Sequence, residues 1–279
     1  MRSNNPVFAR SEEFNRATTP HSDPSQWTID LNGDAGSATP QAPARTDRMT
    51  VDSVVEKTGI TLGLVALAAA VTWFLTPSLD TPGALGVTMT FAMGGAIVGF
   101  VLAMVNSFKK VISPGLVLAY AAVEGVFVGG FSKAIAGMFA EGSPGIVFQA
   151  VLATIIAFAA TLGAYKFFNI QVTEKFRKIV TISLFAFVGV IIVNFILSFT
   201  PLVNEGGLRG FGMLGLLVSA VAVVLAVFML ILDFDYVEKG VAAGLPQRES
   251  WRAAFGLTVT LVWLYIEILR ILAIFANND

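Results

Sequence analysis

The 279-residue sequence contains no cysteine. That excludes disulfides, thiolate metal sites and a thiol nucleophile. It contains a single histidine, His21, placed in a polar head. No histidine-based triad and no His-paired metal centre can therefore form in the apolar part of the chain. Charge is scarce as well: 13% of residues are Asp, Glu, Lys or Arg, about half the share of a soluble domain. The net charge is -1, so there is no bulk basic field to draw nucleic acid. The polar head holds no apolar core of the kind a secretory signal needs.

What the chain has instead is apolar length. Hydrophobic residues make up 55% of it and its mean hydropathy is +0.75, which marks an integral membrane protein. Residues 1–51 are rich in Pro, Ser, Thr, Asn, Asp and Arg. They are expected to form a disordered cytoplasmic tail, because they cannot bury enough apolar surface to offset ordering. Within them, Asn5-Pro6-Val7-Phe8 and Phe14 are the only candidates for docking. Residues 52–279 carry seven runs, each near the roughly 20 apolar residues a helix needs to cross a bilayer. The spacing predicts them at Gly59–Thr76, Gly83–Asn106, Pro114–Ala140, Pro144–Phe168, Lys178–Thr200, Gly210–Leu232 and Trp251–Phe275. Prolines open the third and fourth and follow the first and fifth.

Lys and Arg are one-sided. The head, the loop after span two (Lys109, Lys110), the loop after span four (Lys166, Lys175, Arg177, Lys178) and the loop after span six (Lys239, Arg248, Arg252) are basic. The alternate loops hold little beyond Asp80, Glu141, Glu205 and Arg209. The N-terminus is expected in the cytoplasm and the C-terminus outside.

Charges inside the spans carry the functional question, since each costs a few kcal/mol to insert and usually faces a partner or a cavity. Glu267 lies in the seventh span with Arg270 three residues on, close enough for an ion pair along the helix. Glu124, in the third span, has no cation beside it and is expected about 15 Å deep, near the level of Glu267. It is either protonated or meets Arg270 or a cavity. Lys133 is half a turn off Glu124, so these two do not pair; it is expected to snorkel to the outer interface. Asp233 and Asp235 close the sixth apolar run, and their plainest role is to meet water there. Glu267 with Arg270 also has a plain reading, as a structural ion pair. Ala121, Gly125, Gly129 and Ser132 form a small-residue stripe on the third span, matched by Gly95 and Gly99 on the second, which argues for a tight bundle.

Three classes compete on these residues. Embedded carboxylates suit a cation or proton path, because they offer hard oxygen to Ca²⁺ and take up protons. A serine intramembrane protease would want a histidine, and an aspartyl one two facing Asp residues at depth. A retinal-type receptor needs a lysine in the last span, and there is none.

The string Leu264-Tyr265-Ile266-Glu267-Ile268-Leu269-Arg270-Ile271-Leu272 resembles the LYLDFINLFLxLLR ending of the Bax inhibitor (transmembrane Bax inhibitor motif) family. Ile231-Leu232-Asp233-Phe234-Asp235 is similar to that family's I-L-Y-D-T/F segment, and Glu124-Gly125 with Gly129 to its bacterial E-G-x-x-L-G run. The resemblance covers Val51 to the end and looks closest to an actinobacterial branch. It implies an all-α membrane protein, a seven-transmembrane-helix bundle around a central last helix, with no enzymatic activity and no resident cofactor. It also implies a pH-sensitive calcium leak across a bacterial inner membrane, regulated by an acidic pair that would here be Asp233 and Glu267, with Ca²⁺ passing transiently.

Two features of this chain depart from the pattern. The last-span acid is Glu rather than Asp, and it lies 34 positions after Asp233, further than in the family. A simple hairpin turning near Gly244 would set Asp233 level with Phe255, about 18 Å short of Glu267. Either Pro246 to Ala254 is an added interfacial piece, or the pair does not form and Glu124 is the better partner of Glu267. The expected path is thus lined by Glu124, Asp233, Asp235 and Glu267, with Arg270 as counter-ion. The contrasting reading is a regulatory or scaffold protein that binds other membrane proteins and transports nothing.

Overall fold

The computed structural model describes residues 48–140, 144–168, 170–197, 200 and 207–277. The docking candidates Asn5 to Phe8 and Phe14, the single His21, and the loop acids Glu141 and Glu205 lie outside these residues. Seven helices are long and apolar enough to cross a membrane: α1 (Val51–Leu75), α2 (Ala84–Phe108), α3 (Pro114–Phe139), α4 (Gly145–Phe167), α5 (Glu174–Leu197), α6 (Met213–Ala242) and α7 (Glu249–Ala276). A 3-10 turn, Gly207–Arg209, precedes α6. The end of the bundle where α1 begins is called the near end below, and the opposite one the far end.

Helix ends are set by capping chemistry rather than by hydropathy. α1 begins two turns before its apolar run because Thr50 and Ser53 form a reciprocal capping box, each side chain accepting from the other's backbone N–H at 3.1 Å. The residues just before it, read from the sequence as the end of the tail, are packed. Met49 is buried, its N–H donates to the Leu245 carbonyl at 2.7 Å, and Arg48 bridges to Pro246. α6 likewise does not stop at Asp233 but runs to Ala242, and the chain then turns at Gly244, whose φ of 65° suits glycine. α7 follows in one piece from Glu249, so Pro246 to Ala254 is no separate interfacial segment.

α7 is the axis. It packs on α1, α3, α4 and α6, while α2 leans on α3 and α5 on α6. Two cores flank it. One joins Met49, Val54, Ala226, Leu230 and Leu264; the other joins Val65, Ala121, Ile135, Ala150, Leu269 and Ala273. Hydroxyl pairs tie it laterally: Ser53 with Ser250 at 2.6 Å, Thr61 with Thr258 at 2.8 Å, and Ser132 with Tyr265 at 2.7 Å. Such pairs matter where lipid offers no hydrophobic drive between helices. The last helix is hence the most enclosed of the seven and α5 the least. On α5 only Val180 and Phe187 are buried.

Lys133 does not reach outward to an interface. Its ammonium donates to the Trp73 carbonyl at 2.7 Å and the Thr76 carbonyl at 2.6 Å, closing the C-terminus of α1. The substitution Lys133→Met removes both bonds, leaving the Trp73 carbonyl only the Thr76 hydroxyl at 3.3 Å. The expected loss is about 1–3 kcal/mol, read as earlier thermal unfolding in detergent.

Candidate functional site

The buried acids Asp233, Glu249 and Glu267 gather where α6 meets α7. Glu249, Thr260 and Glu267 lie 11 and 18 residues apart on α7, which returns them to one face within about 20°. That face looks at α6, and three polar stations follow one another along it.

At the near end Glu249 and Arg252 are fully buried and paired, Nε to Oε2 at 2.7 Å. The Tyr236 hydroxyl donates to Glu249 at 3.3 Å, and Arg252 donates to the Lys110 carbonyl at 2.8 Å and more weakly to that of Lys109. The pair therefore fastens the start of α7 to α6 and to the α2–α3 connection.

The middle station is Asp233, which is 4% exposed. Thr260 donates to its Oδ2 at 2.7 Å. Among the described residues it forms no ion pair. The expectation that Asp233 and Asp235 end the apolar segment at water does not hold, because α6 continues past both and buries them. Asp235 points elsewhere: its Oδ2 pairs with Arg177 of α5 at 2.7 Å and Lys239 at 2.8 Å.

The far station is built on Glu267, 1% exposed. Its Oε1 accepts from Arg209 at 2.7 Å, and its Oε2 lies 3.8 Å from Arg270 Nε. Arg270 also donates to Ser219 at 3.4 Å and to the Arg209 carbonyl. Phe211 stacks 5.1 Å from the Arg270 guanidinium and Phe187 5.6 Å from that of Arg209. Arg209 reaches inward because the segment before α6 lies flat against that helix: any Cβ on Gly215 would run into the Gly210 carbonyl. Arg270 is the counter-ion expected, but Arg209 makes the shorter bond.

The acidic pair anticipated from the resemblance is not assembled. Asp233 is level with Thr260, and seven residues, about 10 Å of helical rise, separate Thr260 from Glu267. Ala226, Leu230 and Leu264, all fully buried, fill the interval. One ion cannot bridge both carboxylates in this conformation, since Ca²⁺ ligands lie within about 2.6 Å of the metal. Among the described residues no three acids or histidines converge on a metal position. Glu124 does not replace Asp233 as partner of Glu267. It is hydrogen-bonded to Tyr120, whose ring meets Phe255 edge-on at 5.1 Å, and its Oε2 abuts Gly99 of α2. Ser132, not Glu124, is level with Tyr265. Glu124 thus lies about 12 Å closer to the near end than Tyr265 and about 15 Å closer than Glu267, and the two acids are not at one depth.

Thr260, Arg209 and the Glu249–Arg252 pair are absent from the candidates drawn from the sequence. Two signals for them exist there. Glu249-x-x-Arg252 repeats the Glu267-x-x-Arg270 pattern five turns earlier on the same face. Arg209 is the lone basic residue in its loop, set among Gly206, Gly207 and Gly210.

A search of curated proteins finds no match to the chain. A family model described as Bax inhibitor 1 like matches residues 5–277, so the matched region includes most of the polar head, which the motif resemblance left out. With seven apolar helices around the last one and a match over nearly the whole length, this chain belongs to the Bax inhibitor 1 like family of membrane proteins.

Proposed function

We propose that this protein is a pH-sensitive path for small cations, Ca²⁺ or protons, along the α6–α7 seam of a bacterial inner membrane, and that it catalyses no reaction. The observation that carries the reading is Asp233: a buried carboxylate with a hydroxyl partner and no cation, midway between two ion-paired stations on one helix face. A carboxylate so placed is a functional group by default in a membrane. Its protonation changes both the charge and the hydrogen bonding of the seam at its centre. In this reading Ala226, Leu230 and Leu264, all buried between the stations, are the apolar barrier of a closed state. The basic residues Lys109, Lys110, Arg177, Lys239, Arg248 and Arg252 cluster at the near end, which supports a cytoplasmic near end and an outward far end.

The test is flux into proteoliposomes at about pH 6 and about pH 8, a range in which buried carboxylates can titrate. Wild type is expected to leak with a rate that depends on pH, and Asp233→Asn to lose that dependence. A folded, inserted wild type that is tight to both Ca²⁺ and protons at both pH values would instead favour a regulatory or scaffold role toward other membrane proteins. The observation on that side is that Glu249, Asp235 and Glu267 are all already engaged in ion pairs.

A further inference from the structure

We infer that Met49 is a plug: the stretch from Arg48 to Thr50, where the polar head joins the bundle, is a strap across the α6–α7 turn that seats this side chain in the near end of the seam. The seal stands on contacts alone; its effect on ion flux rests on the cation path proposed above. Met49 is 2% exposed although it lies outside every helix. Its N–H donates to the Leu245 carbonyl at 2.7 Å, and Arg48 beside it forms an antiparallel bridge to Pro246. On the other side Thr50 is fixed as the N-cap of α1. The strap therefore ties the start of the first helix to the turn between the last two.

The socket fits the side chain. Asp233, Tyr236 and Gly240 follow at three and seven residues on α6, which puts them on one face. That face is turned to α7, since Asp233 meets Thr260 and Tyr236 meets Glu249. Gly240 comes last, about 10 Å from Asp233 toward the near end. A Cβ there would lie 3.0 Å from the Met49 sulfur and 3.3 Å from Leu245. The thioether thus occupies the space that a side chain at 240 would need. Methionine suits the task, because its unbranched, flexible chain fills irregular gaps. Met49 and Leu245 belong to one core with Leu230, Ala253, Leu257 and Leu264, so the plug is continuous with the apolar barrier between the stations. Beside the strap a depression of about 540 Å³ opens, lined by Arg48, Met49, Thr50 and residues 241–244. It brings water up to the strap and gives the strap room to lift. Lifting it displaces the last residues before α1 and no helix.

The chain has no cysteine, so a single introduced thiol reports water at a chosen place. The experiment uses the full chain carrying Ala253→Cys, a position 2% exposed in the plug's own core. The thiol is reacted with a charged, water-soluble thiosulfonate reagent. With Met49 in place, labelling is expected to be slow. Adding Met49→Ala is expected to speed it at least about tenfold, as protection by a local seal is lost, and Met49→Leu to keep it slow. A second probe, Ala136→Cys, lies 0% exposed in the other core and is expected to stay slow throughout. Faster labelling at both probes means general loosening and overturns the plug. So does unchanged labelling of Ala253→Cys in a folded Met49→Ala protein. If Met49→Ala does not fold, Met49→Gln, equal in length but polar, decides in its place. The same proteins without probes then go into liposomes, where Met49→Ala is expected to speed cation entry severalfold and Met49→Leu to match wild type. No flux in any protein, with faster labelling at Ala253→Cys alone, keeps the plug and sinks the path. A wild type that conducts, with neither labelling nor flux altered by Met49→Ala, sinks the plug and keeps the path.

Discussion

Exchanging Arg252 for alanine is expected to remove a large part of the bundle's stability, about 3–5 kcal/mol. The side chain is fully buried, and three groups depend on it: the Glu249 carboxylate and the carbonyls of Lys109 and Lys110. Truncation leaves an uncompensated carboxylate inside the protein and frees the α2–α3 connection from the start of α7. The cost follows from what stays behind rather than from the attraction lost. The double variant Glu249→Gln/Arg252→Gln should therefore fall well short of the sum of the two single changes, because it buries no net charge. Unfolding in detergent of the four proteins of that cycle gives the coupling directly. Additive losses would mean that the two side chains act independently, against the geometry.

The second large effect lies between α1 and α3. Gly125 and Gly129 let these helices touch backbone to backbone. A Cβ at Gly125 would sit 2.5 Å from the Val65 carbonyl and 2.6 Å from the Ala68 side chain, and one at Gly129 would strike the Ala69 carbonyl. Neither obstacle is a flexible side-chain tip that can swing away, so α1 must move. Alanine at either position is expected to cost about 1–3 kcal/mol, and leucine at Gly129 to prevent recovery of a monodisperse bundle. Gly63→Ala and Gly189→Ala supply the contrast. Nothing lies within 4 Å of the added methyl at either site, so both should stay within about 1 kcal/mol of wild type or gain slightly from helix propensity. Equal behaviour of the two sets in thermal unfolding would refute the close-packing account. The consequence reaches the seam, because α1 also holds α7 through Thr61 and Ser53. A displaced α1 should loosen the near and middle stations together.

The sequence by itself determined the membrane class, the seven spans, the scarcity of catalytic chemistry and the residues that had to be explained inside the bilayer. These follow from local properties: how long an apolar run is, where proline and glycine fall, and which few side chains carry charge. The small-residue stripe on α3 was legible for the same reason, since a helix of known pitch fixes which residues share a face. The polar partners were decided only by the tertiary structure. Asp233 meets Thr260 instead of Glu267 because the register of the α6–α7 hairpin depends on a turn at Gly244 and on how far α6 continues past its apolar run. Glu124 is drawn toward α2 by the gap at Gly99 and lies nearly three turns from the level of Glu267. Arg209 enters the bundle because the segment before α6 folds back on it, and Lys133 turns to carbonyls that belong to another helix. Each of these outcomes rests on the offset between two helices or on the path of a connection. Helical periodicity fixes the face of a single helix but carries no information about either.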